Sequence, residues 1–104
     1  MANPMYGQNK ADSNLNGFAT AISGNKAWDA GSIADGDEEA LEITVTGAAL
    51  GDFVLSSLSI DVADLVLSGA VTAANTVTLI LANNTGGAVD LGAATAYVLV
   101  VPKQ

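Results

Sequence analysis

The feature that most constrains this chain is a strict alternation over Glu39–Thr46, EALEITVT. Leu41, Ile43 and Val45 fall on one side; Glu42, Thr44 and Thr46 fall on the other. A period of two is that of a strand with one buried and one wet face. Strand-like runs then recur at roughly twelve-residue intervals: FVLSSLSI (53–60), DLVLSGAVT (64–72), VTLILA (77–82) and ATAYVLVV (94–101). The segments between them are rich in Gly, Asn and Asp: GAALGD (47–52), Asp61–Asp64, Ala73-Ala74-Asn75-Thr76 and NNTGGAVDLG (83–92). Asn75 is expected to take the positive φ of a tight hairpin turn. Gly69 is expected to mark a bulge or a close approach. No helical period is visible after Trp28. Five strands joined by such turns predict an all-β domain over 28–104, an antiparallel β-sandwich of jelly-roll-like form.

Residues 1–27 read differently. They hold five of the eight asparagines and only isolated apolar residues: Met5, Tyr6, Leu15, Phe18 and Ile22. Leu15, Phe18 and Ile22 have helical spacing, so a turn or two of helix is possible over 14–23 with Ser13 or Asn14 as cap. We read 1–27 as an extended N-terminal arm whose spaced anchors Met5, Tyr6, Leu15 and Phe18 dock on another protein.

Composition excludes several function classes. The chain of 104 residues carries 11 carboxylates against 3 lysines, a net charge of −8, with no arginine, histidine or cysteine. Three lysines cannot make the positive face that nucleic-acid binding requires. Histidine- and cysteine-dependent catalytic pairs and most zinc sites have no ligands or nucleophiles to draw on, so no enzyme and no cofactor are expected. Mean hydropathy is +0.41. Yet the run 93–101 is short and interrupted by Thr95, where a spanning helix needs about 20 residues, so no membrane partner is expected. The opening MANPMYGQNK lacks the apolar segment of a signal peptide.

The last two long runs are apolar on both faces. Val77, Leu79 and Leu81 alternate with Ile80 and Ala82; Val98 and Val100 alternate with Tyr97, Leu99 and Val101. A strand that is greasy on both sides is covered on both sides. In a domain this small, with no disulfide or metal, the second cover is expected to be another copy of the chain.

The polar candidates each have a plainer explanation. Asp35-Gly36-Asp37-Glu38-Glu39 has the Asp-x-Asp look of a calcium loop but lacks the twelve-residue ligand spacing, and reads as a solvated turn. Asp52, Asp61, Asp64 and Asp90 all fall at turns, where Asp caps backbone groups. Gly86-Gly87 and Gly47/Gly51 lack the Lys-Ser/Thr and the helix of a phosphate loop. Trp28 reads as a core plug.

Four stretches, in two pairs, carry a resemblance. Trp28–Gly36 (WDAGSIADG) with Thr44–Asp52 (TVTGAALGD), and Ala73–Thr78 (AANTVT) with Leu81–Leu91 (LANNTGGAVDL), resemble a family of small tailed-bacteriophage virion proteins, the capsid decoration or cement proteins. The resemblance implies an all-β structural protein, often a homotrimer, without catalytic activity. Such proteins sit on the head or form part of a fibre. The expectation is therefore a decoration protein on the outer surface of the phage head, binding the major capsid protein through its arm. Ile80, Leu99 and Val101 are expected to line the subunit interface. The alternative is a fibre or receptor-binding module for host glycans, for which Asn83-Asn84-Thr85 is the candidate loop.

Overall fold

The computed structural model describes residues 20–103. Eight strands form: β1 (Ile22–Asp29), β2 (Ser32–Ile33), β3 (Glu38–Thr44), β4 (Phe53–Leu58), β5 (Val66–Ala73), β6 (Thr76–Ala82), β7 (Val89–Asp90) and β8 (Ala93–Val101). All pairings are antiparallel. Two three-stranded sheets have the orders β1-β8-β4 and β3-β6-β5, and β2-β7 forms a short third ladder.

The pairing is nested. β1 pairs β8, β2 pairs β7 and β3 pairs β6, so one long two-stranded ribbon runs through the molecule. A single register carries from Ile22/Val100 to Ile33/Val89. In that register Glu38 would face Asn84; it faces Ala82 instead. The slip is by two residues, so inward side chains stay inward. β4 then joins β8 in one sheet and β5 joins β6 in the other. A ribbon folded on itself in this way is the jelly-roll-like sandwich expected from the alternation.

Sequence explains where the ribbon bends. Both of its strands break at the same level with the same tripeptide pattern, Asp29-Ala30-Gly31 between β1 and β2 and Asp90-Leu91-Gly92 between β7 and β8. In each, the glycine N–H donates to the aspartate Oδ1, at 3.2 and 3.0 Å. Each glycine sits at positive φ, 70° and 79°, where a Cβ is disfavoured. Asn75 is at φ 64° in the β5–β6 turn, as expected. It also binds the turn after β3. Its Oδ1 accepts from Gly47 N at 2.8 Å, and its carbonyl accepts from Val45 N at 2.9 Å.

The core lies between the sheets. Val77, Leu79 and Leu81 of β6 face Ala96, Val98 and Val100 of β8, all of them buried. Trp28, Ile33, Ile43, Val45, Ala48, Leu65 and Val71 complete the cluster. The sheets approach closely at two glycines. A Cβ on Gly24 of β1 would lie 2.9 Å from Val45 Cγ2, and one on Gly69 of β5 would lie 2.5 Å from Leu79 Cδ2 and 3.1 Å from Val54 Cγ1. Gly69 is thus a close-approach point; the irregularity in β5 comes later, between Val71 and Ala73.

The domain starts earlier than expected. Residues 22–27, assigned from sequence to the arm, belong to β1 and hydrogen-bond to β8. Of the proposed helical stretch 14–23, Ile22 and Ser23 are strand, Thr20 is in a turn and Ala21 is irregular; residues 14–19 lie outside the described residues. So do the anchors Met5, Tyr6, Leu15 and Phe18.

Candidate functional site

The acidic turn residues serve the backbone. Asp35 Oδ1 accepts from Gly86 N, Asp37 Oδ1 from Glu38 N and Asp61 Oδ1 from Ala63 N. Among the described residues no three acidic, histidine or cysteine side chains gather as a metal would require. No helix of the described residues is long and apolar enough to cross a membrane.

Asp52 has a more particular role. Its carboxylate accepts from Ala49 N at 3.0 Å and from Lys103 N at 3.1 Å, and the Lys103 ammonium lies 3.7 Å away. The same ammonium donates to the Leu50 carbonyl at 3.0 Å. This latch ties the turn before β4 to the chain after β8. The hydrogen bond from the Lys103 backbone, then that from Ala49, hold the Asp52 carboxyl below its ordinary value of 3.8.

Asn83 is the one buried polar side chain of the described residues, at 0% exposure. Its Nδ2 donates to the Ile33 and Gly87 carbonyls at 2.7 and 2.8 Å. Its Oδ1 accepts from Thr85 N and Oγ1 at 2.9 and 2.7 Å. Its backbone bonds to Gly36 and Asp37. Every polar group of Asn83 is consumed in stitching the second break of the ribbon. Its side chain is therefore not available to read a glycan, and the loop singled out for that task loses its first residue.

Several large apolar side chains are also left exposed. Leu50, Phe53, Leu55, Ile60 and Val66 stand out among the large hydrophobics, and Tyr97 lies opposite Ser57. The first five all come from the stretch 50–66. On the outer face of the β1-β8-β4 sheet, the pairs Phe53/Val101 and Leu55/Leu99 form adjacent rungs. A shallow depression of about 230 Å³ there is lined by Leu55, Tyr97 and Leu99.

The expected seam needs correcting. Leu99 and Val101 lie on this outer face, partly buried. Ile80 does not join them. It lies between Ala40 and Ser68 on the outer face of the β3-β6-β5 sheet, on the opposite side of the sandwich. The physical reason is topological: β6 and β8 are the central strands of different sheets, and their inward faces meet. Their outward faces therefore point in opposite directions, and one planar contact cannot cover both.

Charge follows a complementary pattern. In the two main sheets every charged residue falls on β1 or β3: Lys26 and Asp29, and Glu38, Glu39 and Glu42. β4, β5, β6 and β8 carry none.

Compared with known proteins, the chain matches no family model, no curated protein and no solved structure.

Proposed function

We propose that this chain is a capsid decoration protein of a tailed bacteriophage, which self-associates, in the form of a trimer, on the outside of the assembled head and braces neighbouring major capsid protein subunits. The observation that carries the reading is the distribution of surface chemistry. A chain with net charge −8 keeps its sandwich strands 53–58, 66–73, 76–82 and 93–101 free of charge and draws five of its exposed large hydrophobics, Leu50, Phe53, Leu55, Ile60 and Val66, from strands β4 and β5 and their flanks. Patches of that kind mark protein–protein contact. Of the acidic residues that sequence singled out as chemical candidates, Asp35, Asp37, Asp52, Asp61 and Asp90 accept backbone hydrogen bonds at turns. The resemblance of Trp28–Gly36, Thr44–Asp52, Ala73–Thr78 and Leu81–Leu91 to decoration proteins supports the same reading.

The mechanism is mechanical. A ligand that binds the assembled shell but not free subunits shifts the equilibrium toward the shell. Three arms on one symmetric base combine weak contacts through high effective concentration. Met5, Tyr6, Leu15 and Phe18 would be the anchors, and the acidic remainder of the surface keeps the particle soluble.

The test is co-sedimentation of the full chain with assembled heads and with unassembled capsid protein. The reading expects saturable binding to heads only, at hundreds of copies per particle. Replacement of the four anchors by serine should abolish binding and leave self-association intact. Occupancy of tens of copies or fewer, confined to the tail, would replace it with the fibre reading; no binding to the virion at all would remove both.

A further inference from the structure

The two sides of the sandwich are finished differently. On one side lie the edge strands β1 and β3, which carry Lys26, Asp29, Glu38, Glu39 and Glu42. On the other side lie the edge strands β4 and β5, FVLSSL and VLSGAVTA, without a charge or a proline. An edge strand presents unpaired backbone N–H and C=O groups, and proteins that stay apart blunt such edges with charge, proline or a cover. Among the described residues one side is blunted by charge and the other carries neither charge nor proline in its edge strands. The unblunted side also carries the exposed Phe53, Leu55 and Val66, at 62%, 56% and 54% exposure, with Leu50 and Ile60 at its ends.

We infer that the β4/β5 side wall is the surface through which two copies of this chain join, edge strand to edge strand. This rests on the self-association in the reading above and names its surface. Charge selects the occupant. Any two copies repel through a net −8 each, and like charges brought together in an interface cost affinity. The side formed by β1 and β3 would bring Glu38, Glu39 and Glu42 against a like-charged copy. The wall of β4 and β5 brings none: the nearest acids are Asp52, engaged by Lys103, and Asp61 and Asp64 in the turn at the wall's end. Identical copies can therefore approach closely along β4 and β5, adding main-chain hydrogen bonds to apolar burial. The contact along the two edges would cover Phe53 and Leu55 at the rim of one outer face and Val66 at the rim of the other, and leave Ile80, on the central strand β6, free.

The test is sedimentation velocity of the full chain at concentrations up to about 100 μM. It compares the wild type with Leu55→Lys/Val66→Lys on the wall and with Asn25→Lys/Ala40→Lys on β1 and β3. All four positions are exposed, so the variants should fold, and both pairs lower the net negative charge equally. The inference expects association in the wild type, its weakening by about 100-fold in the wall variant, and retention in the control. As a second readout, Ser57→Cys and Ser23→Cys each place a sole cysteine in a chain that has none. A short bis-maleimide should join copies through Ser57→Cys and not through Ser23→Cys. A wild type that stays monomeric overturns the inference. So does association that survives the wall lysines, or that the control lysines abolish equally; head binding would then be judged by its own assay.

Discussion

The β1/β3 side and the β4/β5 side of this sandwich do the same structural work with opposite chemistry. Each contributes one edge strand to each sheet, and each contains one glycine at the point where the sheets come closest, Gly24 in β1 and Gly69 in β5. Yet β1 and β3 hold all the strand charges, while β4 and β5 and their flanks hold five of the exposed large hydrophobics. The difference teaches that strand apolarity in this chain is not set by the core alone. A core-facing residue is required at every second position on both sides. The outward positions are free to be charged, and they are charged on one side only.

The largest expected effect lies at the bend that both sides share. Asn83→Ala would orphan the Ile33 carbonyl and the Thr85 N–H and leave the Gly87 carbonyl with Thr85 Oγ1 alone, at a cost of about 3 kcal/mol in urea unfolding. It should lower the stability of the whole sandwich in one transition. Two separate transitions would mean that the two sides are less coupled than the shared ribbon implies. Next come the glycines. Gly69→Ala should cost about 2 kcal/mol, because its Cβ meets Leu79 inside the core. Gly24→Ala should cost about 1 kcal/mol or less, since its nearest contact is 2.9 Å rather than 2.5 Å. Equal costs would erase the structural asymmetry between the sides.

The latch on the open side should respond to acid. Asp52 has its carboxyl held low in the folded chain, so its contribution is present above the ordinary value near 3.8 and is lost as pH falls through the depressed folded value. Asp52→Asn should therefore be less stable than wild type at neutral pH, with the gap closing at more acid pH. A gap that does not change with pH would show that Asp52 acts by shape alone. The smallest effect is expected in the turn joining β4 to β5. Leu65 N bonds Val62 O at 3.0 Å, with Ala63 and Asp64 at φ 51° and 70°, the pattern of a type I′ turn. Alanine is disfavoured there and asparagine is not, so Ala63→Asn should raise stability by about 0.5 kcal/mol.

Much of this fold was legible in the alternation. Leu41, Ile43 and Val45, and Val77, Leu79 and Leu81, point where their periods say, and the Asn75 turn takes the conformation its residue favours. β1 was not legible, because ISGNKAWD has no alternation: its inward position 24 is glycine, required by the close approach to Val45, and Lys26 is spent on the Glu42 carbonyl. β2 and β7, of two residues each, are too short to show any period. The misplaced seam has another cause. Period two tells which residues of one strand share a face, but not which sheet the strand joins, so Ile80 and Leu99 looked equivalent until the nested pairing separated them. Gly69 was visible as a special position, while its partner, Leu79, was not.

Amide hydrogen exchange, resolved by strand and followed across protein concentration, tests the central claim most directly. The account predicts that the amides of Phe53–Leu58 and Val66–Ala73 that do not bond to β8 or β6 exchange readily in dilute solution and gain protection as concentration rises, while those of β1 and β3 do not change. Protection gained on β1 and β3 instead, or none gained on β4 and β5 while the chain associates, would contradict it.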